Sequence, residues 1–247
     1  MTLTVLTYNL RYGGLGREDP IAAVIRARDP DLVVLQEATR PEVVRDLAER
    51  LDMPAWGAHR GRSLGYLSRV ALATANWHKP RWSRHAFLEL VPEGADAAIF
   101  GVHLSAVHSN WTERRRVLEV RSLLTAIRPD SRGPHAVLGD FNTLAPGEQL
   151  DLGRLPPRLR AVVYLTGRRL RWQTIELMLQ KGYVDGYRTH RPDHPGYTFP
   201  SWDPHVRLDY VFLPRAHVHR LIACEIAEHD RAPLASDHVP LLARLEI

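Results

Sequence analysis

Along this chain, apolar residues come in short runs that end on polar ones. Thr2 to Asn9 alternates as a strand and stops at Asn9, and the run from Asp31 to Leu35 delivers Gln36 and Glu37 in the same way. Helical spacing follows each. Glu18-Asp19-Pro20 opens a helix carrying Ile21, Val24, Ile25 and Ala27, and Pro41-Glu42 opens another with Val43, Val44, Leu47 and Leu51 on one side. From Met53 to Phe100 the texture changes: runs at Gly65–Ala75, Ala86–Val91 and Ala97–Val102, separated by Gly, Pro and Asn, predict an antiparallel meander. The last run leads into Val102-His103-Leu104. Thr112 to Ile127 then predicts a helix with Val117, Val120, Leu123, Leu124 and Ile127 as its apolar stripe.

The buried run Ala136-Val137-Leu138 opens into Gly139-Asp140-Phe141-Asn142-Thr143. Residues 148–182 read as helical and irregular, most clearly at Trp172–Leu179. Strand candidates at Gly196–Phe199, His205–Leu213, Val218–Ala227 and Val239–Ile247 complete the chain, the last preceded by Ser236-Asp237-His238. Strands alternating with helices, then a meander, then more strands predict an α/β protein with more than one sheet.

At 247 residues and 45% hydrophobic the chain can bury a substantial core, and without a low-complexity linker or repeat residues 1–247 read as a single domain. The lone cysteine, Cys224, excludes an internal disulfide and a cysteine-zinc cluster. No stretch approaches the ~20 apolar residues of a membrane span, and the first strand follows Met1 without a basic flank, so a cytoplasmic protein is expected. The net charge of +5 suits an anionic partner, but Lys79 and Lys181 are the only lysines, so the arginine excess reads equally as a bias over the whole chain. Arg154, Arg158, Arg160, Arg168, Arg169 and Arg171 form either a phosphate-backbone groove or, the more favoured reading, a solvated face.

The candidate chemistry lies at strand ends. Asp140 and Asn142 are two apart and can share a face, with Phe141 turned away. A carboxylate can take a proton from water, and a neighbouring amide can donate to a phosphoryl oxygen without adding negative charge, although a simple turn is an equal reading of the pair alone. Asn9, Glu37, His103, Asp237 and His238 also border strands, and Asp209 falls inside the run Val206 to Phe212, where an acid is costly to bury without a partner.

Six tags in order, Thr-Tyr-Asn-Leu at 7–10, Leu-Gln-Glu at 35–37, Val-His-Leu at 102–104, Gly-Asp-Phe-Asn at 139–142, Arg-Leu-Asp-Tyr at 207–210 and Ser-Asp-His at 236–238, resemble the endonuclease/exonuclease/phosphatase superfamily over essentially the whole chain. The resemblance implies a four-layer α-β-β-α sandwich with two mixed sheets packed face to face. It implies Mg²⁺, with Mn²⁺ as a substitute, held by Glu37 and Asp237 and oriented by Asn9. Asp140 would position and deprotonate the attacking water, and Asn142 would hold a phosphoryl oxygen. His238, oriented by Asp209, would stabilise the transition state or act as base, and His103 would bind phosphate or protonate the leaving oxygen. The implied activity is phosphodiester hydrolysis, with DNA, RNA or a nucleotide as first-guess substrate and no obligate protein partner. Alternatives are a phosphatase or phospholipase C-like enzyme and, remotely, a non-catalytic nucleic-acid-binding protein. In deoxyribonuclease-like members the strand histidine has an acidic partner from the meander, yet residues 60–75 contain no Asp or Glu. Trp202 is expected to stack on a base, line an apolar wall or pack in the core, and His59, His78, His190, His194 and His205 to be structural or surface residues.

Overall fold

A computed structural model of the chain describes residues 1–80, 83, 85–106, 110–127, 133–148, 151, 153–154, 160 and 172–247. Its strands fall into two sheets. The first contains β1 (Thr2–Asn9), β2 (Leu32–Gln36), β3 (Ala55–Ala58), β4 (Gly65–Ser68), β11 (Leu221–Ile226) and β12 (Leu241–Glu246), in the order β11-β12-β1-β2-β4-β3. The second contains β5 (Leu72–His78), β6 (Phe87–Pro92), β7 (Ala98–His103), β8 (His135–Asp140), β9 (Tyr183–Asp185) and β10 (Asp209–Pro214), in the order β5-β6-β7-β8-β10-β9. Both are mixed: β1–β2 and β7–β8 pair parallel, and the other neighbours pair antiparallel.

The alternation of side chains along buried strands builds the layers. Leu3 and Val5 of β1 and Leu32 and Val34 of β2 meet Leu88, Leu90, Ile99, Leu138 and Val211 between the sheets. Leu6, Tyr8, Val33 and Leu35 turn the other way, onto α1 (Glu18–Arg26) and α2 (Pro41–Arg50), with Val43, Val44 and Leu47 packed against them. On the far side, Phe100, Val137, Phe141 and Phe212 meet α3 (Asn110–Ala126) through Val120, Leu123 and, just beyond its end, Ile127, and α4 (Gln173–Gln180) through Ile175 and Met178. The sheets touch closely at Gly101, where a Cβ would lie 2.6 Å from Val34 Cγ1. The four-layer α/β sandwich is therefore present, as expected. Among the described residues no helix is long and apolar enough to cross a membrane.

Several sequence expectations are corrected. The run Gly65–Ala75 is not one strand: it divides between β4 and β5, which belong to different sheets, and the Ser68 hydroxyl donates to Val70 O (2.7 Å) at the crossing. β10 starts at Asp209 instead of running through it. Residues 215–220 form a 3-10 turn ahead of β11, so that strand is shorter than the pattern implied. β9 and α5 (Gly186–His190) were not legible; the latter is capped by the Asp185 carboxylate, which accepts from Tyr187 N at 3.1 Å. Arg158, Arg168, Arg169 and Arg171 lie outside the described residues.

A buried network anchors the loops above the second sheet. The Glu113 carboxylate on α3 accepts from Arg116 Nη2 (2.8 Å), Thr143 Oγ1 (3.0 Å) and the Thr174 N–H (2.8 Å), while Arg116 Nη1 donates to Ser105 O (2.7 Å). The segments leaving β7 and β8 are thus tied to the same helix.

Gly139 sits in β8 at φ +141°, and an added Cβ would lie 2.0 Å from Val102 O of β7. Gly139→Ala should destabilise the fold by about 3 kcal/mol or more, whereas Gly147→Ala should cost only about 1 kcal/mol. Gly147 has a comparable need for positive φ (+85°) but nothing within 4 Å. Urea unfolding of both variants measures the difference.

Candidate active site

Strand register assembles the rim. Parallel pairing sets His103 beside Asp140, antiparallel pairing sets Asp209 opposite Asp140, and Asn9 pairs with Gln36 at the end of the parallel β1–β2 ladder. The chain bends sharply just beyond two of these strands: Glu37 (φ 53°), directly after β2, and Asn142 (φ 52°), two residues after β8, are both left-handed. These turns bring their side chains back over the sheet ends.

Asp140 is at the centre and is buried. Its Oδ2 accepts from Asn9 Nδ2 (3.0 Å) and Asn142 Nδ2 (3.1 Å), and its Oδ1 accepts from the Asn142 N–H (2.8 Å). His103 Nε2 and His238 Nε2 lie 3.7 and 3.8 Å from the same Oδ2. His238 Nδ1 meets Asp209 Oδ2 at 2.8 Å. Asp209 therefore serves His238; the alternative partner, Arg207, binds Glu148 (2.7 Å) and Asp185 (2.7 Å) instead. The Asp209 backbone is held by its N–H to Thr198 Oγ1 (3.3 Å).

The two histidines differ in charge preference. Burial alone would pull the His238 imidazolium down, but the charges of Asp209 and Asp140 and the Asp209 hydrogen bond outweigh it and push it up to about 10. Burial, with His85 and His238 nearby, pushes His103 down to about 3. Burial pushes the Asp140 carboxyl up, to about 7, against the opposing pull of His238, Asn142 and Asn9.

Glu37 and Asp237 flank the Arg11–Tyr12 turn: the Tyr12 N–H donates to Glu37 Oε2 (2.5 Å), and Arg11 Nε is 3.5 Å from Asp237 Oδ2. Asn9 Oδ1 accepts from the Arg11 N–H (2.9 Å), so the same turn joins all three. Ser236 closes the ring by donating to Asn9 O (2.6 Å). A cleft of about 490 Å³ lined by Glu37, Ser63, His85 and His103, with Arg62 and Lys79 at its side, runs from Glu37 to His103. The carboxylate oxygens of Glu37 and Asp237 and the amide oxygen of Asn9, gathered around the Arg11–Tyr12 turn, are of the type that suits a hard divalent cation. Separately, ligand atoms of Asp140, Asp209 and His238 all lie within 4.8 Å of one another, and Asp209 Oδ1 is buried without a hydrogen-bond partner, so this group too could hold a metal ion.

The profile of the endonuclease/exonuclease/phosphatase family matches residues 6–238, a span that runs from β1 to His238. The chain belongs to that family. No curated protein matches the sequence significantly. Among solved structures, the chain is similar to an endonuclease/exonuclease/phosphatase from Beutenbergia cavernae (22% identity, TM-score 0.74, 100% of this chain and 72% of that one). It is also similar to an AP endonuclease from Archaeoglobus fulgidus (16%, TM-score 0.75, 99% and 100%) and to a 3′ phosphatase from Neisseria (17%, TM-score 0.70, 99% and 100%). At these identities the structural likeness establishes a shared fold, and the family's chemistry of phosphate esters sets the frame for the site.

All eight candidate residues thus gather at one rim. Three of the histidines expected to be structural or surface residues stay outside it: His78 meets Glu89, His190 meets Leu221 O and His194 meets the Tyr187 hydroxyl. Trp202 does not pack in the core; it is 56% exposed, with the Arg11 guanidinium 5.7 Å from its ring centroid. Sequence reasoning missed Ser63, whose hydroxyl contacts His103 Nδ1, and the Glu119–His85 pair behind it (3.5 Å). A lone serine in a Gly- and Arg-rich segment carries no pattern that could have revealed it.

The His238–Asp209 pair should make stability depend on pH in a stated direction. Because the folded imidazolium titrates near 10 and the unfolded one near 6.5, the pair's contribution is complete below pH 6.5 and is lost as pH rises towards 10. With a chelator present, the stability gap between the native chain and Asp209→Asn should narrow over that interval in urea unfolding. A His238 NMR resonance titrating at its ordinary value would contradict this.

Proposed function

We propose that the chain is a Mg²⁺-dependent hydrolase that cleaves a phosphodiester by direct attack of water, with nucleic acid or a nucleotide as substrate. The observation that carries this reading is the convergence on one buried carboxylate oxygen, Asp140 Oδ2, of two amide donors, from Asn9 and Asn142, with the Nε2 atoms of His103 and His238 just beyond hydrogen-bond range. A carboxyl whose pKa burial raises to about 7 is matched to accepting a proton from water near neutrality. Asn142 Nδ2 donates both of its protons, to Asp140 Oδ2 and to Leu104 O (3.1 Å each), so it orients the base and reaches a phosphoryl oxygen only by exchanging one of these bonds for the substrate. The His238 imidazolium, backed by Asp209, opposes negative charge developing on the phosphoryl group.

Glu37, Asp237 and Asn9 would hold the ion, which when bound supplies charge neutralisation to the phosphoryl oxygens. We favour this oxygen-donor set over Asp140–Asp209–His238, where a cation would compete with the imidazolium proton already lying between His238 and Asp209. The DNA preference draws support from the AP endonuclease and the DNA-bound 3′ phosphatase among the similar structures. The confined cleft beside Glu37 favours a phosphomonoester as the second reading.

Incubation with DNA, RNA, nucleotides and bis-p-nitrophenyl phosphate should give Mg²⁺-dependent release, and identifying phosphate or alcohol products separates the two readings. Asp140→Asn should lower kcat by roughly 10³-fold or more, and Glu37→Gln should raise the Mg²⁺ concentration needed for half-maximal rate. Full activity in Asp140→Asn, or no Mg²⁺-dependent release from any substrate, would sink the proposal.

A further inference from the structure

Among the described residues, the strand histidine of this site has no carboxylate at its outer nitrogen. His103 Nδ1 instead meets the Ser63 hydroxyl. Ser63 is committed on its other side too: its oxygen accepts from the Glu37 backbone N–H (3.4 Å), and its carbonyl accepts from the Ala38 N–H (2.9 Å). A hydroxyl oxygen that already accepts from an N–H has its own proton available to donate.

We infer that Ser63 is the positioning residue of His103: its hydroxyl donates to Nδ1 and so fixes the imidazole as the Nε2–H tautomer, aimed at Asp140. A chain of donors then runs from the Glu37 N–H through Ser63 to His103, joining the turn that carries Glu37 to the base. Nε2 is 3.7 Å from Asp140 Oδ2, too far for a direct hydrogen bond, so its proton is directed at an oxygen seated between them. His103 accordingly binds a phosphoryl or leaving oxygen as a neutral donor. This assignment rests on the hydrolytic reading of the site.

A second contact holds the ring plane. His85 stacks on His103 with centroids 5.5 Å apart and planes 6° from parallel. Glu119 on α3 reaches His85 (Nδ1–Oε1 3.5 Å), not His103. Glu119 is itself held by the Ser105 N–H and hydroxyl, both at 3.0 Å. The carboxylate lies one ring further out, and the ring facing Asp140 keeps an uncharged partner.

The test is ¹⁵N-histidine NMR of the full chain beside steady-state kinetics. The native protein should show His103 protonated at Nε2 and bare at Nδ1. Ser63→Ala should give a tautomer mixture and a kcat lowered roughly tenfold with KM little changed, and Ser63→Thr should restore both. An Nδ1–H tautomer in the native protein overturns the inference, as does a Ser63→Ala variant with unchanged tautomer, or a loss that Thr does not rescue. If the tautomer responds as expected but the native chain hydrolyses no phosphate ester, the hydrolytic reading fails while the Ser63–His103 geometry stands.

Discussion

Burying a carboxylate without partners costs several kcal/mol, and this rim is arranged around meeting that cost at Asp140. The oxygens of Asp140 take two side-chain amides and one backbone N–H, and two imidazoles stand just beyond hydrogen-bond range. Those partners come from β1, the turn after β8, β7 and the turn before β12, which lie in both sheets. The carboxylate therefore ties the sandwich together at one end. If it were exposed, water would satisfy it and nothing would oblige Asn9 of one sheet to reach across to the other.

The second constraint is backbone conformation. Among the described residues, non-glycine positions with positive φ are Arg11, Tyr12, Asp29, Glu37, Asp52 and Asn142, and four of these six belong to the site. Each costs of order 1–3 kcal/mol unless its surroundings hold it. Here they do. Glu37 and Tyr12 stabilise one another through the short Tyr12 N–H to carboxylate bond, while Arg17 donates to Ala235 O (2.5 Å), Leu10 O (2.9 Å) and Arg11 O. Strain at Glu37 and Asn142 turns the side chains away from the direction the strands would give them, and the hydrogen bonds fix the new one.

This explains which parts were legible in the sequence. Buried strands with polar ends, amphipathic helices and the tags around Asn9, Glu37, His103, Asp140, Asp209 and His238 are local patterns, and local patterns survive in one dimension. The division of Gly65–Ala75 between two sheets was not visible, because the break depends on Ser68 donating two residues ahead while both halves remain apolar. Nor was α5, a five-residue helix that owes its start to Asp185. Ser63 was hidden for a deeper reason: its importance lies entirely in standing between residues 37 and 103, a relation that exists only after the sheets are packed. Reading the absence of Asp and Glu from 60–75 as a missing partner assumed that the partner must be acidic.

That assumption matters because partner type decides charge. His103 and His238 approach the same oxygen of Asp140 at nearly the same distance and are similarly buried, so burial cannot distinguish them. What differs is the surrounding charge: Asp209 stands behind His238, whereas His103 has the Ser63 hydroxyl behind it and the imidazoles of His85 and His238 nearby. A carboxylate stabilises the imidazolium by several-fold more than a neutral hydroxyl does, since only the former adds a charge–charge attraction in a low dielectric. The charged form is accordingly favoured at His238 and disfavoured at His103. Two cations flanking one buried acid would overcompensate it and depress its basicity, whereas two neutral rings would leave it uncompensated. A cation on one side and a neutral donor on the other give Asp140 a single counter-charge while keeping it able to accept a proton, which is the condition a general base at this position requires.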